Sequence, residues 1–189
     1  MAVFMALLLA AAPVFAGEAL RVVESRELPV SQTAGDASHR LDLTVHLFRG
    51  GRWSQETVAD AVLEAGGLLR QCAIALSRVE LRVVQAPPRF RVYWTPLSRE
   101  LLARLPTSRP AIFFVDDTRN DPAFDAEAIG RGNSAGRPEL AGTVWVAYGA
   151  RDLPQVLAHE LAHLLADSGR HSEAPDNLMR AETSPASTR

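Results

Sequence analysis

The chain has 189 residues, of which 47% are hydrophobic, a balance that suits one compact domain with its own core. Twenty Lys and Arg against 22 Asp and Glu leave a net charge of −2. That excludes a basic field for nucleic acid or an anionic membrane surface, and the chain shows neither basic–aromatic interleaving nor a phosphate-cradling glycine loop.

Residues 2–12 (AVFMALLLAAA) are apolar, followed by Pro13 and then Val14-Phe15-Ala16. The stretch is shorter than the roughly 20 residues a membrane span needs. It reads as a secretory signal peptide with small or compact residues before a cleavage point after Ala16, although it lacks the usual basic n-region. The expected organisation is a signal peptide over 1–16, a catalytic-type domain over 17–180 and a loose tail over 181–189. A secreted or periplasmic location follows, with no stable membrane association after cleavage. No cysteine follows the apolar stretch to carry a lipid anchor. Cys72 is the only cysteine, so no intramolecular disulfide can form.

The mature part begins with an alternating run, Arg40 to Phe48, that predicts a strand. Gly50-Gly51 break it, and Ser54 caps a predicted helix running to about Leu76 with Val58, Val62, Leu69 and Ile74 on its apolar positions. Cys72 falls inside that helix, where a buried small hydrophobe is its expected role. Gly66-Gly67 either weaken the helix or permit close packing. Val79 to Val84 alternate as a second strand, ended by Pro87-Pro88. Arg89 to Trp94 read as a short extended piece and Ser98 to Leu105 as a short helix. Ala111 to Val115 are continuously apolar, as in a strand covered on both faces. The polar stretch from Asp116 to Arg137 follows, with a short strand expected near Ala126 to Ile129. Its acids Asp116, Asp117, Asp121 and Asp125 are of the type that binds calcium, but they lack EF-hand spacing, and a solvated loop is the preferred reading. Thr143 to Ala147 form the last predicted strand. Strands alternating with helices define an α/β (α+β) fold, a mixed sheet packed with helices.

Asp152-Leu153-Pro154-Gln155 then reads as a helix start, with an Asp N-cap, Pro in the first turn and Gln completing a capping box. Val156, Leu157, Leu161, Leu164 and Leu165 supply its apolar positions, and Gly169 is the expected left-handed stop. Within it lies His159-Glu160-Leu161-Ala162-His163. Residues four apart on a helix lie one above the other, about 6 Å along the axis. Two imidazoles so placed can hold one Zn²⁺, and the intervening Glu160 can serve as base toward a water in the same cleft. A catalytic zinc takes three protein ligands. Asp167 lies about 12 Å along the axis from His159 and reads as a helix-end polar residue. His171, after a chain reversal, is the better third candidate.

The segment His159 to Met179, HELAHLLADSGRHSEAPDNLM, resembles the metzincin metallopeptidases, whose signature is HExxHxxGxxH followed by a Met-turn. The likeness is strongest to the matrixin-type order, in which the third His is followed by Ser and later by Leu-Met, here His171-Ser172 and Leu178-Met179. Two features depart from the signature: Ala166 stands in the glycine position, and His171 lies two positions further on. The resemblance implies a metzincin-like twisted mixed sheet with an active-site helix followed by a Met-turn. It implies His159, His163 and His171 as zinc ligands, Glu160 as general base and Met179 as the Met-turn residue. It also implies that Ala126 to Ile129 form the edge on which an extended peptide would add as a strand. Tyr148, just before the helix, has a packing role as its first reading and a place near an oxyanion as its second.

The implied function is that of a zinc-dependent metalloendopeptidase, hydrolysing peptide or protein substrates through a metal-activated water with Glu160 as base. The alternative is a non-catalytic zinc- or peptide-binding protein on the same fold, favoured by the longer turn before His171. A third reading, a structural helix with incidental histidines, expects no tightly bound zinc.

Overall fold

Strands buried on both faces set the architecture. The computed structural model describes residues 19–30, 37–119 and 138–181. Strands β5 (Ala111–Val115) and β7 (Thr143–Ala147) are buried at every position, which is why β5 reads as an unbroken apolar run and β7 is apolar after Thr143. With β1 (Arg21–Glu27), β2 (His39–Phe48) and β3 (Ile74–Gln85) they form a five-stranded sheet in the order β1-β3-β2-β5-β7. The β3–β2, β2–β5 and β5–β7 pairs are parallel, and β1 runs antiparallel to β3. A two-stranded pair, β4 (Val92–Tyr93) with β6 (Asp117–Thr118), lies apart. The mixed sheet, packed with helices α1 (Gln55–Leu69), α2 (Thr95–Arg104) and α3 (Leu153–Ala166), places the protein in the α+β class.

The alternation of β2 sorts its side chains onto two faces. Leu41, Leu43, Val45 and Leu47 join α1 and α3 in one core, together with Ile112, Phe114, Val144 and Val146. His46 and Phe48 point the other way. Phe48 belongs to a second core with Phe113, Trp145, Tyr93 and Leu101 of α2. On this side the rings form a continuous stack. His46 lies 4.6 Å from Phe113, Phe113 4.3 Å from Trp145, and Tyr93 5.3 Å from Trp145, centroid to centroid. Trp94, next in the chain, is 43% exposed.

Helix α1 starts as expected: the Ser54 hydroxyl accepts the Thr57 N–H at 3.1 Å. It ends earlier. A short 3₁₀ turn, Arg70–Cys72, and a left-handed Ala73 reverse the chain, because Ile74 must already pair with His39 in the sheet. Cys72 is therefore exposed on a turn and is not a core residue of a helix reaching Leu76. Of the two roles open to the glycine pair, Gly66 takes close packing: a Cβ there would stand 2.4 Å from Leu76 Cδ1.

Further on, the expected extended piece from Arg89 is a 3₁₀ turn, Pro88–Arg91, followed by β4. Helix α2 begins at Thr95 rather than Ser98, with Pro96 in the first turn. Strand β1 has no counterpart in the expected elements. Its sequence, RVVESRE, is largely solvent-facing and lacks alternation. Its charges suit an edge that resists further pairing. The signal peptide over 1–16, the strand at Ala126 to Ile129, Asp121 and Asp125 lie outside the described residues. No helix among the described residues is long and apolar enough to cross a membrane.

Candidate metal centre

Helix α3 follows β7 directly and lays its inner face on α1 and the sheet. Leu157, Ala158 and Leu161 are buried there, whereas Leu165 is 39% exposed and not part of the packed face. The start of the helix differs from the capping box. Asp152 sits in the left-handed region at φ 48, ψ 48, and its side chain makes no capping bond. A side-chain cap needs extended backbone at that position, so this geometry turns the carboxylate away from the helix N–H groups. The Asp152 carbonyl still accepts the Val156 N–H at 3.0 Å.

The helix end differs as well. Asp167, at φ 47, ψ 43, takes the left-handed position assigned to Gly169, and Gly169 has no positive φ. Ser168 N–H donates to the His163 carbonyl at 3.1 Å and Asp167 N–H to Leu164 at 3.4 Å, the bond pair of a Schellman motif. Asp tolerates this conformation better than most residues with a side chain, so no glycine is needed to stop the helix.

Three histidines come together at this end. His159 and His163 are buried on the helix, and His171 reaches them from the following loop, itself exposed. The Nε2 atoms of His159 and His163 are 2.9 Å apart, and those of His163 and His171 3.2 Å. The rings of His159 and His163 stand at 87°, those of His163 and His171 at 84°. One ligand atom from each lies within 4.8 Å of the others. Zinc–nitrogen bonds of about 2.0–2.1 Å in a tetrahedron put ligand nitrogens roughly 3.3–3.4 Å apart, close to these spacings.

The opposite ring nitrogens show why a cation suits the cluster. His159 Nδ1 is 2.7 Å from the Leu178 carbonyl and His163 Nδ1 is 2.6 Å from the Ser168 carbonyl. A carbonyl only accepts, so both Nδ1 atoms carry the proton and donate. In the neutral rings the two Nε2 atoms are then bare lone pairs facing each other. That contact is repulsive unless a cation or a proton lies between them. Protonation is disfavoured, because burial holds both imidazoles below their usual range. The neighbouring histidines add to the lowering, and the accepting carbonyls oppose it. The residues present fit a divalent cation bound by imidazole, with outer-nitrogen hydrogen bonds of the kind that orient metal-ligating histidines.

Glu160 is 7% exposed, on the helix between the two ligands' turns. Leu178, 2% exposed, plugs into the main core, while Met179 is only half-buried. It is thus the Leu178 carbonyl that has a defined contact with the site. Tyr148 packs edge-on against Trp53 at 5.1 Å, with the Arg52 guanidinium 3.9 Å over its ring. Asp116 accepts the Arg52 N–H at 2.7 Å and faces Arg91 at 3.7 Å, and Asp117 accepts the Thr118 N–H at 2.8 Å. Asp116 thus ties the end of β5 to the Arg52 turn and to Arg91, while Asp117 bonds its own neighbour. The histidine group is the one cluster of metal-ligating side chains among the described residues. The Ser168 and Leu178 carbonyls were not foreseen, since a backbone acceptor leaves no trace in residue identity.

Fold and site together define a mixed α/β protein with a three-histidine group able to hold a metal ion. Compared with known proteins, the chain matches no protein-family model and no curated protein.

Proposed function

We propose that this protein is a secreted or periplasmic zinc-dependent endopeptidase of metzincin type. The observation that carries the proposal is the convergence of three imidazole Nε2 atoms, two of them fixed as bare lone pairs by carbonyls behind the rings. In this reading His159, His163 and His171 hold Zn²⁺. The ion, when bound, supplies Lewis acidity toward a carbonyl and lowers the pKa of water.

The chain's own residues do the rest. Helix α3, anchored by Leu157 and Leu161, fixes two of the imidazoles at one helical turn's spacing. Glu160, held by the same helix, accepts a proton on its carboxylate from the attacking water and returns it to the leaving amine. The sheet and α1 form the platform that keeps these groups from drifting, since a small misplacement costs rate steeply. Peptides and proteins are the proposed substrates.

The test combines metal content with turnover. Wild-type protein is expected to bind one zinc per chain and to cleave an unstructured protein in a chelator-sensitive way. Glu160→Gln should retain the zinc and lose roughly 10²–10⁴-fold in rate. Full activity in that variant would refute the assigned base. One bound zinc without cleavage would instead establish a metal-binding protein on this fold.

A further inference from the structure

The loop that follows His171 is built round a single peptide unit, the one joining Leu178 to Met179. Its carbonyl, from Leu178, accepts the Nδ1–H of His159 at 2.7 Å. Its N–H, from Met179, donates to the side-chain Oδ1 of Asn177 at 2.9 Å. A peptide unit is planar and its C=O and N–H point in opposite directions, so holding one end aims the other. The neighbouring groups tighten the same turn. Asp176 is left-handed at φ 59, and the Asn177 carbonyl accepts the Arg180 N–H at 3.1 Å. The Met179 carbonyl accepts the Ser172 N–H at 2.7 Å, next to His171. The side chain of Leu178 is buried in the core shared with α3, which fixes the depth of the unit.

We propose that Asn177 is a positioning residue of the histidine site. By gripping the Met179 N–H, its side-chain oxygen aims the Leu178 carbonyl at His159 Nδ1 and turns His159 Nε2 toward His163. Through the Met179–Ser172 bond the same turn sets where His171 returns. Asn177 touches no reacting group and acts only through these backbone atoms. The shape of the grip also states what can replace it. Asp keeps an acceptor oxygen at the same distance along the side chain, whereas Ala keeps none.

This inference rests on the metal-site reading for its consequence, but its first readout does not need a metal. In the full chain stripped of metal, imidazole nitrogen NMR should show His159 as the Nδ1–H tautomer in the wild type and in Asn177→Asp. In Asn177→Ala that preference should be lost. In the second readout, competition for Zn²⁺ against a chromophoric chelator should show about a 10–100-fold weaker site in Asn177→Ala, as for other outer partners of metal-ligating histidines. Asn177→Asp should stay near wild type.

An Asn177→Ala protein that keeps both the tautomer and the affinity overturns the proposal. So does an Asn177→Asp protein as impaired as the Ala variant, because the side-chain oxygen would then not be the cause. If the wild type binds no zinc, the proposed function falls, while the tautomer comparison still decides the role of Asn177.

Discussion

His46 makes the fold sensitive to acid in a way that can be worked through. It sits near the C-terminal end of β2 at 0% exposure, stacked on Phe113, with Nε2 against the Thr107 hydroxyl and Nδ1 without a partner. Burial pushes its pKa from 6.5 down to about 3; Arg82 adds to the lowering and Glu80 opposes it. The folded protein therefore binds this proton less readily than the unfolded chain. The stability it contributes is full above 6.5 and is lost as pH falls toward about 3. At about 1.4 kcal/mol per pH unit, the whole gap is worth up to roughly 5 kcal/mol. The part lost between pH 7 and pH 5 is about 2 kcal/mol. His46→Phe keeps a flat ring against Phe113 and cannot take a proton. Urea unfolding of both proteins at these two pH values, in excess chelator, isolates the His46 contribution, because other groups cancel in the difference. The wild type should lose about 2 kcal/mol more than the variant, or roughly 4–8 °C in melting temperature. Equal losses in the two proteins would show that the ring protonates in place and that burial does not restrain it.

Other outcomes follow from the geometry. Gly66→Ala should cost about 1–3 kcal/mol in a denaturant titration, because its Cβ would meet Leu76 Cδ1 at 2.4 Å. Gly67→Ala meets nothing within 4 Å and should gain about 0.5–1 kcal/mol in the same assay. Asp167→Gly should be neutral or mildly stabilising in a thermal melt. Asp167→Val should cost about 1–2 kcal/mol and weaken zinc binding, since the left-handed turn places the Ser168 carbonyl behind His163. On the proposed zinc reading, removing zinc held at a thousand times its dissociation constant should cost about 4 kcal/mol, roughly 8–16 °C in melting temperature. His163→Ala should abolish that dependence on chelator.

The parts legible in the sequence were those where one physical demand governs a run of residues. The two doubly covered strands, Ala111 to Val115 and Thr143 to Ala147, were plain because burial on both faces admits only apolar or small side chains. Ser54 was plain because its cap is made by the residue's own hydroxyl. The helical pair His159 and His163 was plain because spacing alone puts both on one face. The misses came where a tertiary partner decides. Helix α1 stops short because β3 must begin in register with β2, a constraint held by a distant strand. Strand β1 exists through its pairing with β3 and carries no pattern of its own. Asp152 and Asp167 adopt left-handed backbone that glycine more often takes, so Asp152 holds the expected N-cap position without a side-chain cap, and the stop assigned to Gly169 falls at Asp167. The loop from His171 to Met179 was legible as an order of residues, but its shape depends on backbone bonds.

The ring stack across the sheet also equips the protein to report on itself by light. Trp145 lies at 1% exposure between Phe113 and Tyr93, Trp53 is half-buried against Phe114 and Tyr148, and Trp94 stands 43% exposed. Loss of the fold carries the Trp145 indole from a dry sandwich into water, which reddens and alters its emission, while Trp94 is already wet and changes little. A chain keeping only Trp145 would therefore follow the packing of the sheet's second face, and one keeping only Trp53 the seam between α1 and β5. Comparing the two single-tryptophan proteins would show whether the sheet and the helices above it let go together.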